Sequence, residues 1–380
     1  MYSVGDYLWM IADSARVEAY AGAIRALVKP GDRVLDVGTG VGFFSVLAIR
    51  AGAAHVDAVD INPAVHLGPR VAAANGCADR IAFHACDARA VSLPVAADVL
   101  LSDLRGATPF KGRSLETFIE VRRRLLRPCG TVIAMRDTLY AAPSRPPLAF
   151  RDVVTPLQRN DVSLEPVARV VYDAPQSGRV AADDLLAPGA SWLTLDYRTI
   201  DVADHGGEAS WELDRAATVS GIAVWFDSDL GGGFGFSTAP ANETCPYGQL
   251  FLPFRHAVDL AAGDSLRIRI DLHLAGDDYV WVWRAWTRSS GQIDERLVVD
   301  QNSLAEIVID PAALPATAET SVPLLGASGR ALRVMLERIE QGQCIGEVAT
   351  ELRRAEPDVF SSRDRALAFV SRWVAELAKP

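Results

Sequence analysis

The chain has 380 residues, 49% of them hydrophobic, and a formal net charge of −10. That is enough apolar mass for two or three domains, and too acidic a balance for a protein that grips nucleic acid by neutralising phosphates. No apolar run approaches eighteen residues, so no membrane-spanning helix is expected, and the scattered cysteines and histidines give no metal-binding spacing.

In chain order, the pattern predicts a helix over Tyr20 to Leu27, a strand over Arg33 to Val37, a helix over Phe43 to Ala51 and a strand over His55 to Asp60. A helix over Ala64 to Asn75, strands over Ile81 to His84 and Asp98 to Ser102, a helix over Leu115 to Leu126 and a strand over Gly130 to Met135 follow. Such alternation implies an α/β, Rossmann-like domain with a mostly parallel sheet, whose ligands sit at the carboxyl ends of the strands. Arg122, Arg123 and Arg124 fall opposite the apolar stripe of their helix and read as a solvated face.

The stretch Val34-Leu-Asp-Val-Gly-Thr-Gly-Val-Gly42 is a buried strand ending in a glycine turn. A G-x-G-x-x-G turn suits a dinucleotide, but here the third glycine comes early, and Asp36 at the strand end is placed to meet an amino group. Asp60, ending the next strand beside Ile61, is placed to accept from ribose hydroxyls. The pattern resembles the S-adenosylmethionine (SAM) site of class I methyltransferases, with Gly38 and Gly40 in the cofactor turn.

After Pro143-Ser-Arg-Pro-Pro147 the period changes. Trp192 to Tyr197, Val219 to Phe226, Leu266 to Leu274 and the run from Tyr279 to Trp283 read as half-buried antiparallel strands, so residues 148–295 are expected to form a β-barrel or sandwich. The first domain is then 1–147. Tyr279, Trp281, Trp283 and Trp286 read as core rather than a ligand cage. A linker is expected near Pro311, and residues 316–380 carry three short amphipathic helices, a small helical domain.

These motifs together resemble the protein arginine methyltransferases over roughly residues 1–290. Met10-Ile-Ala-Asp-Ser-Ala-Arg16 followed by Tyr20 is similar to the family's M-L-x-D-x-x-R-x-x-x-Y helix, which implies that Arg16 holds the SAM carboxylate and Met10 lies near the methyl donor. Ala51 to Asp60 resembles A-G-A-x-x-V-x-A-V-[ED]. Cys86-Asp-Ala-Arg89 resembles the adenine-contacting turn, implying contacts from Asp87 and Ala88, and Phe236-Ser-Thr-Ala-Pro240 matches the barrel strand's F-S-T-x-P.

The acceptor side departs from that family. Ser102-Asp-Leu-Arg-Gly106 stands where S-E-x-M-G is expected, the second glutamate falls on Gly112, and the threonine-histidine-tryptophan motif becomes Cys245-Pro-Tyr247. The expected function is therefore methyl transfer to a nitrogen or oxygen nucleophile of a peptide, protein or small metabolite, and not to an arginine guanidinium. Asp103 is expected as an orienting acceptor, Tyr247 and Tyr7 as lining hydrogen-bond groups, and Arg105 as a charge drawing an anionic acceptor. Glu116, one helical turn after Gly112, is a candidate displaced carboxylate. A catalytically impaired SAM-binding partner subunit is the alternative.

The resemblance also places a dimerisation arm at Asp161 to Pro175, which implies a homodimer. The helices from Gly329 resemble winged-helix peptide-chaperone domains. Five dispersed cysteines and the lack of a secretory apolar segment point to the cytoplasm. No membrane, nucleic-acid or metal partner is expected.

Overall fold

A computed structural model describes residues 2–155, 158–159, 161–242, 247–307, 322 and 324–377. The chain divides into two compact units, Met1–Val308 and Ile309–Pro380. The linker expected near Pro311 lies outside the described residues.

The first unit opens with α1 (Val4–Ile11), started by a Ser3–Asp6 capping box, and α2 (Ser14–Leu27), whose first turn is capped by Asp13. Then follow β1 (Arg33–Val37), α3 (Phe43–Ala51), β2 (His55–Asp60), α4 (Gly68–Ala74), β3 (Ile81–Ala85), β4 (Ala97–Ser102), α5 (Ser114–Leu125) and β5 (Leu126–Ile133). The five strands form a parallel sheet in the order β3-β2-β1-β4-β5. Val34, Leu35, Val56, Leu100 and Leu101 are buried, as a sheet covered on both faces demands. The order in which strands are added reverses between β1 and β4, and their carboxyl ends form the crevice where such folds bind ligands.

The helix expected from Ala64 to Asn75 is split into a 3-10 turn over Pro63–Leu67 and α4. Pro69 lacks the N–H that would continue the first helix, and restarts it at the favourable first turn.

The antiparallel part begins with β6 (Arg136–Ser144), ahead of the proline cluster that marks the boundary in the sequence. Pro143 sits inside this strand, so composition alone places the change too late. After β6 come α6 (Leu148–Val154), the short pair β7 (Gln158–Arg159) and β8 (Val162–Ser163), α7 (Glu165–Tyr172) and β9 (Gln176–Gly178). Eight longer strands complete the region: β10 (Ala190–Asp196), β11 (His205–Glu212), β12 (Ala217–Gly231), β13 (Phe234–Ser237), β14 (Gln249–Leu260), β15 (Ser265–Ala275), β16 (Asp278–Arg288) and β17 (Arg296–Asn302).

Two sheets result, β10-β6-β12-β14-β9 with β13 on β12, and β11-β15-β16-β17. Their inward residues, among them Leu139, Phe226 and Leu252 from one and Ile268, Ile270 and Trp283 from the other, share one core. Tyr279, Trp281 and Trp283 are buried there, while Trp286 is half-buried with the Arg267 guanidinium 4.1 Å over its ring.

The Arg122–Arg124 run does more than face solvent. Arg122 donates to the carbonyls of Tyr197 and Ile200, and Arg124 to those of Val91 and Arg89, clipping α5 to neighbouring loops.

The second unit contains α8 (Ala327–Glu340), α9 (Ile345–Ala355) and α10 (Arg363–Leu377). Met335, Val348, Leu352 and Val370 form its own core. Among the described residues, no helix of the chain is long and apolar enough to cross a membrane.

Candidate functional site

The end of β1 meets the end of β4 across the glycine turn. Gly38 has φ +81°, and a Cβ there would sit 2.6 Å from Leu104 Cδ2; Gly40 has φ +57°, and a Cβ would sit 2.5 Å from the Tyr7 ring. Both positions therefore need glycine on conformational and steric grounds. The turn is braced from behind by Asp36. One of its carboxylate oxygens accepts from Thr39 Oγ1 at 2.7 Å and Ser45 Oγ at 2.6 Å, and burial pushes its carboxyl up to about 6 despite those two hydrogen bonds. Asp36 thus braces the turn through that one oxygen, since both hydroxyl donors lie within its own loop and the following helix.

A cavity of about 490 Å3 opens at the crevice, with Met10, Arg16, Gly38, Asp60, Ile61 and Tyr247 in its wall. Tyr7, Asp103, Arg105 and Gly112 also reach it. A smaller cavity of about 240 Å3 shares Gly38, Asp60 and Ile61, and brings in Asp87 and Ala88. The predicted cofactor residues converge here, apart from Asp36 and Gly40, which stand behind the wall.

Asp60 accepts from the Gly40 N–H at 2.7 Å and the Asn62 N–H at 2.8 Å, one per carboxylate oxygen. Each oxygen keeps a lone pair for a ribose hydroxyl. Asp87 pairs with Arg89, whose guanidinium lies 2.6 Å away and holds the carboxyl below its usual range. Tyr7 covers Gly40, and burial followed by the Asp60 charge pushes its phenol up. It lines the larger cavity next to Gly40 and Asp60.

Arg16 supplies the test of fit. Its Nε and Nη1 atoms are buried with no hydrogen-bond partner among the described residues, as is Asp13 Oδ2. Nε faces Asp103 at 3.5 Å as an ion pair outside good hydrogen-bond geometry, and the Nη1 donor is left without an acceptor, a cost that a ligand carboxylate on that edge would relieve. The amino-acid end of SAM carries such a carboxylate, and its ribose hydroxyls are the groups that the free lone pairs of Asp60 would suit.

The acceptor side is closed by a polar network. Tyr247 Oη lies 2.5 and 2.6 Å from the two oxygens of Asp103, and Arg16 Nε is 3.5 Å away. Burial raises the Asp103 carboxyl, but Arg16 and Arg105 outweigh it and hold the group below its ordinary value.

Arg105 does not present a free charge. Its Nε and Nη2 form a bidentate pair with Asp137 at 2.7 and 3.0 Å, Nη1 donates to Tyr20 Oη at 2.8 Å and Asp103 at 3.2 Å, and Nη2 donates to Ser228 Oγ at 3.3 Å. All five N–H donors are matched. The expectation that Arg105 draws an anionic acceptor therefore gives way, because Asp137, wholly buried on β6, already neutralises it.

Glu116 is also displaced from its expected role. Its Oε2 atom lies 2.6 Å from Arg113 and 3.2 Å from Arg89, beside the adenine-side turn, and it lines neither cavity. The N–H of Gly112 donates to Asp278 at 2.8 Å. Cys245 and Pro246 lie outside the described residues.

Sequence reasoning missed Asp137, which sits far along the chain with no motif around it, and Lys111. Lys111 follows a loop whose neighbours draw attention to the missing glutamate instead. Among the described residues, no group of three or more histidines, cysteines or carboxylates is arranged to hold a metal.

A parallel sheet of this order, a braced glycine turn, a carboxylate at the end of β2 and a buried guanidinium with donors left over define a class I methyltransferase fold with a cavity that suits SAM. More narrowly, the chain is arginine methyltransferase-like. A family model described as Ribosomal protein L11 methyltransferase (PrmA) matches residues 21–104. A probable protein arginine N-methyltransferase 6 of Arabidopsis thaliana is 27% identical over 253 residues, covering 63% of this chain and 57% of that protein. An arginine N(omega)-methyltransferase of Streptomyces achromogenes subsp. streptozoticus is 27% identical over 269 residues, covering 69% of this chain and 74% of that one.

Among solved structures, the Trypanosoma brucei PRMT1 enzyme-prozyme heterotetrameric complex with AdoHcy aligns with a TM-score of 0.72 at 19% identity, over 79% of this chain and 98% of that chain. Arabidopsis thaliana protein arginine methyltransferase 10 aligns at 0.69 and 17%, with the same coverage. These likenesses establish the fold.

Proposed function

We propose that the protein transfers a methyl group from SAM to a nitrogen or oxygen nucleophile, on a peptide, protein or small metabolite, other than an arginine guanidinium. SAM, when bound, supplies an electrophilic methyl group on its sulfonium. Arg16 and Asp60 hold opposite ends of the ligand, and the glycine turn lets the backbone come close.

The state of Asp103 carries the reading. A guanidinium must be gripped by free carboxylates that aim one nitrogen. Asp103 is already engaged by Tyr247, Arg105 and Arg16, and the second expected position is Gly112. The relatives named as arginine methyltransferases favour the opposite acceptor, and the reading rests on this chain's own Asp103 network and Gly112 against that likeness. The Tyr247 hydroxyl oxygen, whose proton is turned to Asp103, is suited to accept a proton-bearing group of the nucleophile, and positioning is the main catalytic contribution.

A second reading, a SAM-binding partner subunit with little activity of its own, is supported by the same closed network around Asp103. The Trypanosoma brucei complex, which unites an enzyme with a prozyme, is the precedent. Isotope-labelled SAM incubated with the protein and a fractionated cell extract separates the two. Protein-dependent S-adenosylhomocysteine with label outside arginine supports the enzyme; no excess over the protein-free rate overturns it in favour of the partner subunit.

A homodimer is part of the proposal, supported by the exposed Val162, Leu164 and Val167 around α7. A cytoplasmic setting is supported by four free cysteines among the described residues.

A further inference from the structure

We infer that the acceptor carries a carboxylate and that Lys111 holds it, an inference that rests on the reading of the site as a methyltransferase for a non-guanidinium acceptor. A second cavity of about 230 Å3 adjoins the cofactor cavity, and Tyr2, Met10, Lys111 and Tyr247 line both. Lys111 therefore stands at the junction, where an acceptor entering from one side meets a cofactor lying on the other.

The cations of the site differ in what they have left to offer. Arg105 has all five donors matched, and Arg16 is buried on the cofactor side beside Asp103. Lys111 is exposed; its Nζ donates to Tyr2 Oη at 2.9 Å and lies 4.9 Å from the centre of that ring. Among the described residues it has no carboxylate partner. An ammonium has three donors, so two remain for a ligand.

Asp6, which also lines the second cavity, is committed to the α1 cap, its Oδ2 accepting from the Ser3 N–H at 2.7 Å and Oγ at 2.9 Å. A carboxylate at the junction gains both an ion pair and a hydrogen bond from Lys111, whereas a carboxamide gains the hydrogen bond to its carbonyl oxygen without the opposite charge. Seated there, the rest of the acceptor lies beside the Asp103–Tyr247 pair, where its N–H or O–H can be accepted. The shared chemistry is the carboxylate; a free small acid and the carboxyl end of a peptide both supply it.

The test is calorimetry on the full chain saturated with S-adenosylhomocysteine. Benzoate and benzamide probe the small acid, and N-acetylglycylglycine and its amide probe the peptide end. At least one of the two acids binds while its amide does not, and which acid binds names the source. Lys111→Met weakens that acid by roughly tenfold or more, the order for losing a charge-assisted bond, Lys111→Arg restores it, and S-adenosylhomocysteine affinity is retained in both.

Equal binding of each acid and its amide, or an unchanged acid affinity in both Lys111→Met and Lys111→Gln, overturns the inference. If a variant fails to fold, the wild-type contrast between acid and amide decides alone. Methylarginine formed in a separate assay overturns the parent reading, and leaves the contrast between acid and amide to be judged on its own.

Discussion

Tyr247 and Asp103 are joined across 144 residues of chain, the phenol oxygen 2.5 and 2.6 Å from the two carboxylate oxygens. The contact ties the strand-end loop of the parallel sheet to the antiparallel region. It also uses the carboxylate that a guanidinium would need.

Tyr247→Phe removes the one neutral donor on Asp103 and leaves the carboxylate buried between Arg16 and Arg105. Stability should fall by about 1–3 kcal/mol, the cost of an unsatisfied buried polar group, measured by urea unfolding. Because the hydrogen bond helps to hold Asp103 below its usual value, the carboxyl should titrate higher in the variant, visible by carboxyl-labelled NMR.

Arg105→Met leaves Asp137 as an unpaired, wholly buried charge, and should cost about 3–5 kcal/mol. Arg105→Met with Asp137→Asn should recover much of that loss. A double-mutant cycle in denaturant measures the coupling; simple additivity would show that the pair is not the unit described here.

The parallel sheet was legible because its strands are continuous apolar runs followed by turn residues, and Asp60 because it closes such a run next to a glycine turn. Arg16 was legible only through its resemblance to a family helix. The role of Arg105 was not, since its partner Asp137 lies 32 residues away on a strand that runs through Pro143, where composition shows a break. Glu116 looked available because helical spacing shows which face a residue occupies, and not that Arg113 and Arg89 wait on it.

Arg16→Ala should weaken S-adenosylhomocysteine binding by about 1.5–3 kcal/mol, the worth of a charge-assisted hydrogen bond, without unfolding the chain. Calorimetry checks the affinity and thermal unfolding the fold. Unchanged affinity would mean that the Arg16 guanidinium serves something other than the ligand carboxylate, such as its ion pair with Asp103.

Asp36 predicts a pH effect. Its carboxyl is raised from 3.8 to about 6, chiefly by burial. Between those values the folded state holds a proton that the unfolded chain has released, so this contribution favours folding at the acid end and is lost as pH rises through about 6. It amounts to on the order of 2–3 kcal/mol. Urea unfolding at a series of pH values should show wild type losing stability relative to Asp36→Asn across that window; a constant difference between the two proteins contradicts it.

The acceptor claim is tested most directly by mass spectrometry of a glycine-arginine-rich peptide and of free arginine after incubation with the protein and methyl-labelled SAM. Asp103 locked to Tyr247, with Gly112 at the second position, predicts no labelled methylarginine above the protein-free control, although S-adenosylhomocysteine binds. Robust labelled methylarginine would contradict the account, and show that the Asp103 network opens to a guanidinium.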